Sequence, residues 1–183
     1  MKRAEFIKKF SPLVAELSAG TGLFPEVVFA QAIIESSDAK GNFGNGYNVR
    51  HGNNYFGVRP SSGWHGEVIE NPNIKSESKL FRKYESVEDS IRDYFKFLQS
   101  NKRYKKAGVF EAANVAEQAA ALQRAGYAGN ASNYADLITK VGSVVSKVLS
   151  GSKEFVSKNK KTSGGLVLAV VAVAGAIIYF RKN

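Results

Sequence analysis

Glu35 is the acidic residue of this chain whose surroundings should alter its chemistry most. It lies in the run PEVVFAQAIIESS (25–37), which reads as a helix with Pro25 at its first position. At helical spacing Val28, Gln31, Ala32 and Glu35 share one side, while Val27, Ala30, Ile33 and Ile34 face mainly a core. A carboxylate near the C-terminal end of an apolar helix is disfavoured twice. The helix dipole opposes its charge, and apolar neighbours withhold solvation. Both effects raise the pKa, and a carboxyl that keeps its proton is equipped for general acid catalysis. The plainer alternative is a solvated glutamate at a helix end. Other chemistries lack their residues. There is no cysteine, which removes thiol catalysis, zinc ribbons and disulfide scaffolds together. His51 and His65 lack metal-ligand spacing, so neither a metal nor a cofactor is expected. The loop GNFGNGYN (41–48) has glycines but no Gly-Lys-Ser/Thr to cradle a phosphate.

The elements that must position Glu35 can be read from punctuation and period. Pro12 suits the first turn of a helix through LVAELSA (13–19). Ser86 with Asp89 three residues on predicts an N-cap. Beyond it Val87, Ile91, Tyr94, Phe95 and Leu98 fall on one helical face. Residues 114–126 and 133–149 read as helices closed by Gly126 and Gly151. Residues 38–63, rich in glycine and asparagine and without helical period, read as a long loop. WHGEVIE (64–70) and IKSESKLFRKY (74–84) form two strands around a turn at Asn71-Pro72-Asn73. The expected fold class is α+β, mostly α: a helical domain over 1–150 with one small β-hairpin.

The chain has 183 residues, 44% of them hydrophobic, enough for one domain with a real core and too apolar for a disordered chain. Its net charge of +10 is unevenly supported, because all 16 acids precede an uncharged stretch at 164–180. Seventeen such residues span about 25 Å as a helix, near the short limit for a bilayer core. Tyr179 and Phe180 beside Arg181 and Lys182 suit a membrane interface. The segment is expected to be one C-terminal transmembrane helix. Gly165/Ala169 and Ala172/Ala176 repeat small residues at a spacing that permits helix pairing. Between domain and span, 151–163 (GSKEFVSKNKKTS) reads as a solvated, lysine-rich linker, attractive to anionic headgroups. The N-terminus lacks the apolar run of a signal peptide, and the lysines before the span favour a domain on the cytoplasmic side. The remaining basic residues are spread over most elements and mixed with acids, so nucleic acid is not an expected partner.

Three sets of residues in order carry a resemblance. They are Ala30-Gln31-Ala32-Ile33-Ile34-Glu35-Ser36, Gly52-Asn53-Asn54-Tyr55-Phe56-Gly57-Val58, and Phe81-Arg82-Lys83-Tyr84-Glu85-Ser86 with Asp89 and Asp93-Tyr94. Asn101-Lys102-Arg103-Tyr104, Ala125-Gly126-Tyr127-Ala128 and Asn133-Tyr134-Ala135 follow. From about residue 4 to 145 the chain resembles the catalytic domain of glycoside hydrolase family 73, lysozyme-like endo-β-N-acetylglucosaminidases of bacteria and phages. The resemblance implies that Glu35 protonates the glycosidic oxygen between N-acetylglucosamine and N-acetylmuramic acid in peptidoglycan. It implies that Asn53, Asn54, Tyr55 and Phe56 line the sugar groove, joined by Trp64 and by Tyr127 and Tyr134 from the C-terminal helices. Aromatic faces can stack on pyranose rings, and asparagine amides can pair with acetamido groups.

The chain departs from the family pattern in two places. Ser37-Asp38-Ala39 replaces the Gly-Trp-Gly that often follows the family's Glu-Ser. The hairpin that carries the family's second carboxylate is short, with Glu70 preferred, Glu67 on the opposite strand face and Asp38 a further candidate. Should none approach, the substrate's acetamido group is the remaining nucleophile. The leading expectation is a membrane-anchored peptidoglycan hydrolase. A lytic transglycosylase or muramidase on the same fold, or an inactive wall-binding membrane protein, are the alternatives. Because an inward-facing domain would be parted from the wall, the expected location is the membrane of a lipid-containing phage virion, otherwise the bacterial inner membrane. Oligomeric state is left open.

Overall fold

The computed structural model describes residues 1–75, 78–129 and 131–162. In chain order the elements are α1 (Arg3–Ala19), α2 (Pro25–Ser36), α3 (Tyr47–Gly52), β1 (Val68–Glu70), β2 (Leu80–Arg82), α4 (Val87–Ser100), α5 (Lys102–Lys106), α6 (Val115–Arg124) and α7 (Tyr134–Thr162). The expected α+β, mostly helical class with one small hairpin is what forms. α2 is the axis, packed against α1, α6 and α7. Every residue from Val27 to Ile33 is buried, so the expected division into a core side and a site side does not hold. A helix apolar on all faces is one enclosed on all faces. Its first turn, at Pro25 and Glu26, and its C-terminal end, at Ile34 and Glu35, keep partial solvent contact.

Pro25 does open α2, and Ser86 Oγ accepts the Asp89 amide at 3.1 Å at the start of α4. Pro12 requires a correction, since it lies inside α1. A mid-helix proline leaves the carbonyl four residues back without its amide donor. Here Ser11 Oγ donates to the Lys8 carbonyl at 3.1 Å and replaces the missing bond. The buried row Phe6, Ile7, Phe10 and Val14 holds the helix together across it. The loop expected at 38–63 is also interrupted, by the single-turn helix α3, and α5 forms where no element was expected. Gly151 does not end the last helix: α7 runs on through Thr162, so the stretch expected as a linker at 151–163 is helical as far as Thr162. A helical glycine costs about 1 kcal/mol relative to alanine. That is a small penalty for a helix whose first half is seated by Tyr134, Ile138 and Val145, all buried.

β1 and β2 pair antiparallel, with Val68 opposite Arg82, Ile69 opposite Phe81 and Glu70 opposite Leu80. The predicted span at 164–180 lies outside the described residues. Among the described residues no helix is long and apolar enough to cross a membrane.

Candidate active site

Glu35 is held at the emerging end of α2 by a line of hydrogen bonds through the core. Tyr94 on α4 donates its hydroxyl to Gln31 Oε1. Gln31 Nε2 donates to the Tyr134 hydroxyl at 2.9 Å, and that hydroxyl donates to Glu35 Oε1 at 2.8 Å. Gln31 and Tyr94 are fully buried and Tyr134 nearly so. The polarity of the line is forced. The Gln31 carbonyl takes the Tyr94 proton, so its amide must donate to Tyr134, whose own proton then points at Glu35. With Oε1 occupied as an acceptor, a proton carried by Glu35 resides on Oε2. Burial raises the Glu35 pKa, and the bond from Tyr134 offsets part of that rise.

Oε2 faces the turn after Phe56. A Cβ placed on Gly57 would lie 3.4 Å from it, and Gly57 has φ +63°. Glycine is needed there for the left-handed conformation, and a methyl would lie in contact with Oε2. Gly57→Ala is expected to cost about 1–2 kcal/mol in stability from the left-handed backbone. It is also expected to lower turnover by placing a methyl against Oε2. Unfolding midpoints measured beside turnover numbers check the two effects separately.

Tyr134 and Tyr127 stack with ring centres 6.0 Å apart and planes within 10°. Tyr127 is delivered by the end of α6. Gly126, at φ +72°, lets the Gly126 amide reach the Gln123 carbonyl and the Tyr127 amide reach Leu122, a Schellman closure. The Tyr127 hydroxyl then donates to the Phe56 carbonyl at 2.8 Å, tying α6 to the Gly57 turn. The sequence-predicted terminator Gly126 is therefore also what aims Tyr127.

The Asn-Asn-Tyr-Phe segment serves mainly as scaffold. Asn53, at φ 49°, caps α3 and donates from Nδ2 to the carbonyls of Tyr84 and Glu85, both at 3.0 Å. Asn54 is fully buried. Its amide clamps Val58 and the Arg82 carbonyl, which fixes the site turn to β2. Tyr55 stacks on Phe6 at 5.0 Å, and Phe56 stacks on Tyr94 at 4.1 Å. All three of Asn54, Tyr55 and Phe56 are buried, so their side chains are committed to protein rather than to an open groove. Trp64 is half-buried. Its indole N–H donates to the Glu67 carbonyl at 3.1 Å, and the Arg82 guanidinium lies 4.5 Å from its ring.

The three candidate second carboxylates have other partners. Glu70 pairs with Lys79 at 3.7 Å and Glu67 with Lys83 at 2.5 Å, both acids with mostly exposed side chains. Lys83 holds Glu67 below the usual carboxylate range. Asp38 accepts from the Lys40 and Asn42 amides and from the side chains of Asn42 and Asn45, at 2.7–3.0 Å. These bonds hold its pKa far below normal, so Asp38 is an ionised clasp for its own loop. Among the described residues, no hydrogen bond or ion pair joins any of the three to Glu35.

This arrangement has counterparts. A family model described as glucosaminidase, mannosyl-glycoprotein endo-beta-N-acetylglucosaminidase, matches residues 11–145. The chain belongs to that family. Its glycoside hydrolase domain is 33% identical over 136 residues to the peptidoglycan hydrolase FlgJ of Pseudomonas aeruginosa, covering 68% of this chain and 32% of FlgJ. It is 32% identical over 129 residues to the exo-glucosaminidase LytG of Bacillus subtilis, covering 65% of this chain and 43% of LytG. The chain thus spans less than half the length of these curated relatives. Among solved structures, the glycoside hydrolase domain of Salmonella typhimurium FlgJ matches with a TM-score of 0.66 and 30% identity, over 89% of this chain and all of that one. The resemblance to glycoside hydrolase family 73 and its lysozyme-like fold is therefore upheld.

Two members of the site are new relative to the sequence reading. Gln31 was placed on the Glu35 side of α2, but its role as a bridge depends on Tyr94, whose spacing marked it only as core. A tyrosine with a buried ring and a bonded hydroxyl has the same sequence signature as a purely apolar one. Gly57 likewise reads as one loop glycine among several until Glu35 Oε2 is located beside it.

Proposed function

We propose that this glucosaminidase-family domain hydrolyses the glycan strands of peptidoglycan at the β-1,4 bond between N-acetylglucosamine and N-acetylmuramic acid. Glu35 is the proton donor. The observation that carries this reading is the occupied Oε1: with Tyr134 bonded there, Oε2, beside Gly57, is the oxygen left to carry a transferable proton. Burial keeps the carboxyl protonated above the ordinary glutamate range, and it loses that proton to the leaving sugar oxygen. Tyr127 and Trp64, both half-buried, are the aromatic faces on which sugar rings can stack.

The surface ion pairs of Glu70 and Glu67 favour the substrate's own acetamido oxygen as the group that meets the developing positive charge. Glu70→Gln is accordingly expected to keep wall-digesting activity within a few-fold. A loss of about 100-fold or more, the scale of a lost acid–base group, would return Glu70 to the mechanism. The products test the bond cleaved. Reducing N-acetylglucosamine ends in a mass spectrum of digested wall support the proposal, and 1,6-anhydro-muramic ends support a transglycosylase instead.

Tyr134→Phe separates positioning from acid strength. Its hydroxyl lowers the Glu35 pKa, so removal lets the pKa rise further. A general acid works while protonated, so the alkaline limb of kcat/KM should move to higher pH while kcat falls. An unmoved limb would contradict the bond's role.

The anchoring of this domain by 164–180 completes the proposal, on the uncharged composition and aromatic-basic end of that stretch. A lipid-bearing phage particle is the proposed location, because the lysines before that stretch favour an inward-facing domain while the wall substrate lies outside the cell membrane. Detection of the protein in purified lipid-containing particles tests it, and absence from them overturns it.

A further inference from the structure

From Tyr94 to Phe110 the chain has five cations and no acid. Four of them, Lys102, Arg103, Lys105 and Lys106, make up α5 with Tyr104, and all four are exposed while Tyr104 is fully buried. In so short a helix the buried ring fixes the bearing of everything else. Lys102 and Lys106, two residues to either side, project about 160° from Tyr104, and Arg103 and Lys105 flank it at about 100°. Arg124, exposed at the end of α6, joins them at the C-terminal end of α5, where its Nη2 donates to the Ala107 carbonyl at 3.0 Å. Among the described residues the ion pairs are Glu70–Lys79, Asp93–Arg82 and Glu67–Lys83, so none of these five cations is neutralised by an acid.

This ridge of charge adjoins the site, and its arginines are held. Arg103 Nη2 donates to the Tyr104 hydroxyl at 2.6 Å, and the guanidinium lies 4.8 Å from the centre of that ring. The Tyr104 ring lies 6.1 Å from Tyr127, which stacks on Tyr134, the residue bonded to Glu35. One ring therefore separates the Arg103 guanidinium from Tyr127, the face on which a sugar can stack. Arg124 precedes Tyr127 by three residues. A guanidinium presents a planar fork that matches a carboxylate with two parallel hydrogen bonds. One already seated on a ring gives up less rotamer freedom when it binds. The three lysines add attraction of longer range.

We propose that Arg103 and Arg124, with Lys102, Lys105 and Lys106, bind carboxylates on the peptide side chains of peptidoglycan, beside the glycan strand held at Tyr127. The inference rests on the reading of peptidoglycan as substrate. Charge and place select the occupant. The hydroxyl and acetamido groups of the strand are neutral, so the anions nearest a strand lying on Tyr127 are those of the peptides that branch from its muramic acid units.

Binding is measured by co-sedimentation with purified peptidoglycan stripped of phosphate polymers, using the full chain with Glu35→Gln so that the wall is not digested. On that background Lys102→Gln/Lys105→Gln/Lys106→Gln removes the ridge lysines, and Arg103→Gln removes the seated fork. Lys8→Gln/Lys140→Gln/Lys147→Gln removes equal charge from exposed positions on α1 and α7. Unfolding midpoints report that each variant folds, and the lysine variant carries the test should Arg103→Gln not. The expected result in low salt is about tenfold weaker binding for the ridge variants and little change for the α1/α7 variant. Carbodiimide coupling of ammonia converts the wall carboxylates to amides. It should weaken the Glu35→Gln chain to the same extent and leave the ridge variants where they were. Equal weakening of the ridge and α1/α7 variants would show a long-range field alone and overturn the ridge. So would a ridge loss that persists on amidated wall, or unchanged wall binding with lost binding to a DNA duplex. If the chain neither binds nor, with Glu35 restored, digests peptidoglycan, the substrate reading falls and the ridge with it. Digestion by the restored chain, together with binding that survives amidation, overturns the ridge alone.

Discussion

Glu35→Gln is expected to lower glycan hydrolysis by about 10²–10⁴-fold, the usual contribution of a positioned general acid. The amide keeps an oxygen for the Tyr134 hydroxyl, so the line Tyr94–Gln31–Tyr134 survives and only the transferable proton is lost. Stability should move the other way. A buried carboxyl whose pKa is raised in the folded state leaves the fold at full strength below its unfolded pKa. That strength is lost as pH rises from there through the raised folded value, because ionising inside the protein is costly. Glutamine has no charge to desolvate. The variant should therefore match the parent in acid and become the more stable of the two as pH climbs above the ordinary glutamate range. Turnover of purified wall material, with thermal unfolding at several pH values, reads both effects. Undiminished turnover would remove Glu35 from the mechanism.

The second large effect is at Asp93. Arg82 donates from Nη1 to both Asp93 oxygens, at 2.8 and 2.9 Å, and the Tyr84 hydroxyl reaches the same carboxylate at 2.7 Å. Both charged side chains are largely covered, at 9% and 17% exposure. Further bonds from Arg82 reach the Arg59 carbonyl and Ser61, and its guanidinium lies near Trp64 and Phe97. The pair thus joins the hairpin to α4. Asp93→Ala leaves a covered guanidinium without its counter-charge, expected to cost about 3–5 kcal/mol. Whole domains have only about 5–15 kcal/mol of stability. A fall in Tm on the order of 10 °C is expected. The double variant Arg82→Met with Asp93→Leu should lose less than Asp93→Ala alone, since no orphaned charge remains. A double variant worse than the single would show that the pair's hydrogen bonds, rather than its charge balance, hold the hairpin.

What could be read in the sequence was what local chemistry decides. Glu35 on an apolar helix, Pro25 at a first turn, Ser86 with Asp89, and Gly126 after α6 each announce themselves within four residues. Features settled by distant partners did not. Pro12 reads as a start until Ser11 is seen to satisfy Lys8. α3 is too short to show a period, and the clasp of Asn54 on Arg82 links positions far apart in the chain. The hairpin acids alternate faces, as strand geometry requires, but alternation does not say which face is covered. Lys79 and Lys83 supply that, and both Glu70 and Glu67 keep mostly exposed side chains.

α7 begins at the residue that bonds Glu35 and continues for 29 residues, about 43 Å of unbroken helix. Its far end is therefore connected to the Glu35 site by a strut rather than a leash. Reach is set by rise per residue, and bearing by turn per residue. Deleting a single residue near Gly151 would draw the two ends about 1.5 Å closer and swing one against the other by about 100°. A deletion of seven would shorten the strut by about 10 Å while nearly restoring its bearing. A strut built this way is tuned in steps of helical phase, and length alone does not describe where its far end sits relative to Glu35.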